Sequence, residues 1–122
     1  MVERRKSLVV RTVGEVAVVY FVDSQILEEM QIKWLGNELY DLVEKQSKRK
    51  IVISFQNIQR FSTALLGKLI GLKKKTAAEK GAVKLCAIPP NIMEIFNVTG
   101  LDQAFEIFDD EMAALKSFGR IG

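Results

Sequence analysis

Two neighbouring hydroxyl side chains, Ser62 and Thr63, have the position in this sequence that best suits a chemical role. They follow an irregular polar stretch and precede an apolar helical pattern, so they lie where a loop enters a helix. A phosphate on either hydroxyl would be bound by the free N–H groups of the first helical turn and by the positive end of the helix dipole. A plain N-cap, worth typically ~1 kcal/mol, is the alternative role, and one hydroxyl can cap while the other is modified.

The sequence offers few other residues that could act in catalysis, bind a metal ion or bind a cofactor. Histidine is absent, which removes imidazole acid–base catalysis, a Ser-His-Asp triad and the common zinc sites. Neither GxxxxGK[ST] nor GxGxxG occurs, so no Gly-rich phosphate loop is predicted. The carboxylates at 28–29 and 109–111 suit helix starts, and adjacent positions on a helix do not face each other. We therefore expect no catalytic residue, no metal site and no cofactor, and predict that the protein is not an enzyme.

Two further features have structural interpretations. Cys86 lies among apolar residues of a predicted strand, where burial raises the pKa of a thiol and makes it unreactive. No disulfide is possible within the chain, because there is one cysteine. Gly67 and Gly71 are four residues apart on a predicted helix, which indicates close packing against a neighbouring element.

The charge pattern does not indicate nucleic-acid binding. The net charge is only +3, and the densest basic group, Lys73–Lys75 with Lys80, would fan around the solvated side of a helix. No aromatic residue interleaves with these lysines to stack on bases. No apolar run approaches the ~18–20 residues that span a bilayer, and the basic N-terminus does not lead into a signal-peptide core. We expect a cytoplasmic protein that contacts neither membrane nor nucleic acid.

The elements that must position the hydroxyl pair follow an alternating order. Residues 7–13 and 16–22 predict a hairpin about Gly14, and residues 51–55, 82–88 and 105–108 predict three further strands. Helices are predicted after Asp23-Ser24, which offers an N-cap, after Ser62-Thr63, over 91–98, and from 111 to about 118. Residues 56–61 are predicted as a loop. Strands that alternate with helices favour parallel strands joined by right-handed crossovers.

The predicted fold class is therefore α/β, a single domain over residues 1–122. It consists of a mixed sheet of about five strands, with an N-terminal hairpin and then alternating helices and strands, and about four helices. The second strand is nearly all apolar, which is typical of a strand buried on both faces. The helical period after Ser24 places Leu27, Met30 and Trp34 on a buried face, and Lys48–Lys50 at the end of that helix.

Two stretches of the chain resemble the STAS family, the domain of anti-sigma factor antagonists and of sulphate-transporter tails. Residues 52–70 are similar to that family's third strand, loop and second helix, where its pattern is roughly D-x-S-x-V-x-x-x-D-[ST]-S-G-L-G. Residues 81–107 resemble its C-terminal half. The most specific piece is Thr99-Gly100-Leu101-Asp102, followed by Phe105-Glu106-Ile107. The order of predicted elements agrees, so the resemblance covers nearly the whole chain.

The resemblance implies a regulator that works by partner switching. In that family the domain binds an anti-sigma factor, often a serine kinase, and frees the sigma factor; phosphorylation of the Ser or Thr after the Asp releases the complex. Carried over, the acceptor is Thr63, with Ser62 as the alternative, and the partners are an anti-sigma factor kinase and a phosphatase. The expected contact surface comprises Asp23, Ser24, Ser62, Thr63, Ala64 and Leu65 of a monomer or weak dimer.

The sequence departs from the family pattern in three places. Ser54 replaces the early Asp, Ser62 replaces the Asp before the acceptor, and Ala64-Leu65 replaces the Ser-Gly that follows it. The loss of both carboxylates favours an alternative function, a STAS scaffold or docking protein that is never phosphorylated. Ala64 and Leu65 are expected to make the rim of the contact surface more apolar.

Overall fold

The chain opens with the predicted hairpin, in a computed structural model that describes residues 6–119. Strand β1 (Leu8–Val13) pairs antiparallel with β2 (Val16–Phe21), and Gly14 takes the turn with a φ of 59°, which favours glycine. The later elements are, in chain order, β3 (Gln25–Ile26), α1 (Glu29–Glu44), β4 (Lys50–Ser54), β5 (Arg60–Phe61), α2 (Ala64–Ala78), β6 (Ala82–Cys86), α3 (Pro90–Thr99), β7 (Glu106–Phe108) and α4 (Glu111–Ser117).

Five strands form the central sheet in the order β1-β2-β4-β6-β7. β2, β4, β6 and β7 are parallel to one another, and β1 pairs antiparallel with β2, so the predicted mixed sheet is confirmed. Among the described residues the sheet is accompanied by four α-helices, which confirms the fold class. The carboxyl ends of the parallel strands meet in one row, in which Tyr20, Ser54, Cys86 and Phe108 are neighbours.

The two faces of the sheet are covered by different helices. One core cluster joins Val19 and Ile53 of the sheet to leucines of α1 and α2 and to Phe96 of α3. The other cluster joins Val18 and Val52 to residues of α4. Since successive residues of a strand point to opposite faces, β2 and β4 are buried on both sides, as the apolar run of β2 predicts.

The connection between β2 and α1 differs from the prediction. Residues 25–26 form a short strand that pairs with β5 inside the segment predicted as a loop, and α1 begins only at Glu29. The helix buries Ile32 and Leu35, and Met30 and Trp34 lie outside this buried stripe, with 49% and 37% of their surface exposed. The prediction that Leu27, Met30 and Trp34 belong to the core is therefore wrong.

Two other expectations on the helices change. Helix α1 ends at Glu44 and no basic residue lies in its last turn, so Lys48–Lys50 do not interact with its dipole as expected. Gly71 lies against the ring of Tyr40, which confirms the close packing predicted for it. Gly67 has no such neighbour, since a Cβ placed there would meet nothing within 4 Å. Within residues 6–119 no helix has the length and apolar character to cross a bilayer.

Candidate functional site

The hydroxyl groups of Ser62 and Thr63 have different environments at the start of α2. Thr63 is the N-cap residue and is exposed, but its side chain makes no cap hydrogen bond. The half-buried Ser62 supplies the local bond instead, because its Oγ accepts from the backbone N–H of Ala64 at 3.2 Å. The Ser62 hydroxyl is therefore engaged by the backbone, whereas the Thr63 hydroxyl is exposed at the positive end of a 15-residue helix.

The loop before α2 is held by buried side chains and by amide groups. Phe55 and Ile58 are 0% and 2% exposed, so two apolar side chains of the loop pack into the core. The side-chain amide of Asn57 donates to the carbonyl of Phe21 at 3.3 Å. The amide of Asn91, at the start of α3, donates to the carbonyl of Gln59 at 3.2 Å. These contacts fix the position of the loop relative to β2 and α3.

The short ladder of β3 and β5 joins the two segments that the sequence separates by more than thirty residues. The carbonyl of Ser24 accepts from the N–H groups of Gln59 and Arg60, at 2.8 and 3.2 Å. The carbonyl of Ile26 accepts from the N–H of Ser62 at 2.8 Å. The structure thus brings the segment containing Asp23 and Ser24 next to the start of α2; their role in binding stays a prediction.

Asp23 does not cap α1, and that prediction is wrong. The helix starts six residues later, and Asp23 Oδ2 instead accepts from the side-chain amide of Gln31 at 3.1 Å. The side-chain carbonyl of Gln31 accepts from the N–H groups of Leu27 and Glu28, at 3.0 and 3.3 Å. Asp23 therefore stabilises the beginning of α1 through Gln31, while its own carboxylate stays half-buried.

Ala64 and Leu65 separate on the surface. Ala64 is exposed, whereas the side chain of Leu65 is 0% exposed, because it shares with Leu69 and Leu72 the face of α2 that packs into the core. The prediction that the Leu65 side chain adds to an apolar rim is therefore wrong. The apolar contribution comes instead from Leu27 and Met30, which periodicity assigned to the core.

Two hollows flank the hydroxyl pair. A groove of about 670 Å³ runs between the first turns of α1 and α2; its lining includes Leu27, Met30, Lys33, Ser62, Ala64 and Lys68. A second hollow of about 330 Å³ lies toward α3 and is lined by Thr63, Glu94, Ile95, Val98 and Thr99. Val98 is 82% exposed. A macromolecule approaching Ser62 and Thr63 would therefore meet apolar surface on both sides of them.

Cys86 and Ser54 lie away from this surface. Both are buried neighbours on adjacent strands, with 0% and 2% of their surface exposed. Burial raises the pKa of the Cys86 thiol to about 11, in line with the inert thiol predicted. Ser54 Oγ accepts from the N–H of Gln56 at 3.4 Å and does not reach the surface. Within residues 6–119 no group of three metal-ligating side chains lies close enough together to hold an ion.

Comparison with known proteins identifies the family. The sequence pattern of the STAS domain matches residues 3–114, and this chain belongs to the STAS domain family. Among curated proteins it is similar to an anti-sigma F factor antagonist of Paenibacillus polymyxa. The two are 24% identical over 78 residues, which are 64% of this chain and 67% of the relative.

Solved structures agree on the fold. A STAS domain protein of Planctomyces limnophilus, described as an anti-sigma-factor antagonist, superposes with a TM-score of 0.82 at 19% identity, covering 93% of this chain and 98% of that one. The phosphorylated form of SpoIIAA, a cell fate determinant of Bacillus, superposes with a TM-score of 0.69 at 15% identity, covering 91% and 98%. At these identities the likeness establishes the fold.

Proposed function

We propose that this chain is an anti-sigma factor antagonist, which binds an anti-sigma factor and thereby frees a sigma factor. Membership of the STAS family and the similarity to an anti-sigma F factor antagonist support this class of function. The observation that carries the proposal is the start of α2, where an exposed hydroxyl without a cap bond stands between two hollows that each expose apolar side chains. In this role the protein acts in the cytoplasm, as a monomer or weak dimer.

The proposed control is phosphorylation of Thr63 by the anti-sigma factor acting as a serine/threonine kinase, reversed by a phosphatase. Thr63 is favoured over Ser62 because the Ser62 hydroxyl is half-buried and already accepts a backbone hydrogen bond. A phosphate adds about −1.5 to −2 charges at the edge of the hollow formed by Ile95 and Val98, where an apolar contact would desolvate it. A loss of ~3 kcal/mol lowers affinity more than a hundredfold.

A constitutive docking protein is the second candidate. Ser54 and Ser62 stand where the family pattern has carboxylates, and both serine hydroxyls have backbone partners. In this alternative the same surface binds a partner protein, and no phosphate is ever added. Incubation with the cognate kinase and ATP, followed by intact-mass measurement, separates the two candidates. One added phosphate that is lost in Thr63→Ala and kept in Ser62→Ala supports the switch, and no mass gain at stoichiometric kinase supports the docking protein.

The binding test compares Thr63→Glu with Thr63→Gln, which has nearly the same size and no charge. The measurement is the dissociation constant for the purified anti-sigma factor by calorimetry, with circular dichroism as a check on folding. We expect Thr63→Glu to weaken binding more than about a hundredfold, and Thr63→Gln to weaken it by less than about tenfold. If Thr63→Glu binds as tightly as the wild type, control by phosphorylation of Thr63 is refuted. If the wild type does not bind, the anti-sigma factor is not its partner.

A further inference from the structure

The groove between α1 and α2 exposes large apolar side chains that a folded protein normally buries. Leu27 is 41% exposed and Met30 is 49% exposed, and Ala64 faces them from the first turn of α2. The residue beneath them, Ile32, is 4% exposed and closes the floor. Neighbouring large apolar side chains that stay in water are typical of a surface that another molecule covers.

The charged lining of this groove is mainly basic. Lys33 reaches it from α1 and Lys68 from α2, and Glu29 is the one carboxylate among the described lining residues. The ion pairs found within residues 6–119 include neither Lys33 nor Lys68; Lys68 Nζ lies 6.0 Å from the ring centroid of Tyr40. Two lysines that pair with no carboxylate of residues 6–119 therefore line this groove, an arrangement that favours a partner with complementary charge.

We propose that this groove binds an acidic amphipathic helix of the partner protein. Its apolar side chains would lie over Leu27, Met30 and Ala64, and its carboxylates would pair with Lys33 and Lys68. The groove lies between the first turns of two helices, so a third helix can pack along it. The proposal rests on the proposed function, because the groove shares Ser62 and Ala64 with the surface that carries it, and it specifies the chemistry of the partner's contact segment.

Coupling between this groove and the hydroxyl pair is direct. Ser62 lines the groove, and its backbone N–H is bonded to Ile26, the residue before Leu27. Thr63 lines the hollow on the other side of the same helix start. A phosphate on Thr63 would stand at the helix start that separates the two hollows, and its negative charge would oppose the approach of an acidic helix to the groove.

The test uses two synthetic peptides with an identical apolar stripe at i, i+3, i+4 and i+7, one with Glu and one with Lys on its polar face. Their binding is measured by fluorescence anisotropy with the wild type, with Lys33→Glu/Lys68→Glu, and with Lys74→Glu/Lys80→Glu. The last variant is the matched control, since it makes the same change in charge at exposed positions of α2 and its C-terminal end that do not line the groove.

We expect the wild type to bind the acidic peptide about tenfold more tightly than the basic one, and less tightly at high salt. Lys33→Glu/Lys68→Glu should reverse this preference, and Lys74→Glu/Lys80→Glu should keep it. Amide shifts in the NMR spectrum should concentrate at residues 27–33 and 62–68.

The proposal would be overturned by equal binding of the two peptides, by an unchanged preference in Lys33→Glu/Lys68→Glu, or by no binding of the acidic peptide below about 1 mM. Tighter binding of a single-stranded RNA than of the acidic peptide would also overturn it, since the lysines would then serve a nucleic acid. The experiment contains no anti-sigma factor and leaves Thr63 unchanged. If the peptide experiment fails, the proposal that the partner is an anti-sigma factor is unaffected. If the Thr63→Glu experiment fails, the peptide result is unaffected.

Discussion

The open surroundings of Gly67 in α2 predict that replacing it by alanine stabilises the protein. The residue lies inside the helix, on its exposed face, and a Cβ placed there would meet nothing within 4 Å. Glycine in a helix interior costs about 1 kcal/mol relative to alanine, because it loses more backbone freedom on folding. Gly67→Ala should therefore raise the free energy of unfolding by about 1 kcal/mol without changing any contact.

Gly71→Ala is the matched control, in the same helix and one turn later. Its new Cβ would collide with the hydroxyl of Tyr40 and lie 3.1 Å from the ring carbon that bears it. The ring would have to move, and it would lose its place 5.0 Å from the ammonium group of Lys75. This loss should offset part of the same gain in helix propensity, so Gly71→Ala should stabilise the protein less than Gly67→Ala does.

The assay is urea unfolding followed by circular dichroism on the wild type and the two variants. With a slope of roughly 2 kcal/mol per molar urea, a gain of 1 kcal/mol moves the midpoint up by about 0.5 M. A midpoint for Gly67→Ala at or below that of the wild type would show that its surroundings are not open. Equal gains in both variants would show that Tyr40 does not pack against Gly71.

Two further predictions concern the face of the sheet covered by α4. Lys84 is 7% exposed, and its Nζ donates to the carbonyl and hydroxyl oxygens of Ser117 at 3.1 and 2.9 Å. Lys84→Met should therefore lower the free energy of unfolding by about 1–3 kcal/mol. Hydrogen exchange should show a larger loss of protection in α4 than in β4. The pKa of Cys86 is raised by burial from 9.0 to about 11, so the folded state keeps a proton that the unfolded chain loses, and this contribution to stability is complete below pH 9 and lost toward pH 11. Cys86→Ala should therefore lose less stability than the wild type between these two pH values, and identical slopes would contradict the shift.

Much of the sheet could be predicted because its signals are local. The apolar run of β2 and the Gly14 turn specify a hairpin whose second strand is buried on both faces, and the structure has both. The order of strands and helices then restricts the remaining connections to parallel crossovers. The hydroxyl pair could be located for the same reason, since a polar loop before a helical period marks a helix start.

The surface around α1 could not be predicted, because it depends on a contact between distant segments. Residues 25–26 become a strand only because residues 60–61 pair with them, and nothing within either pair of residues indicates this. That pairing delays the start of the helix to Glu29. Leu27 therefore lies outside the helix. Met30 and Trp34 face outward for a different reason, because the buried stripe of α1 passes through Ile32, Leu35 and Leu39 and leaves these two side chains on another face.

The β3–β5 ladder makes one unit of the two loops that precede α1 and α2. Its two residue pairs tie the backbone before Leu27 to the backbone before Ser62, so neither loop can shift by itself. Anyone who builds chimaeras with other STAS proteins should therefore exchange residues 23–28 and 56–63 together. A transplant of either segment alone would pair a foreign strand with a native one, and any change in the backbone path of the foreign strand would be passed to the start of the other helix.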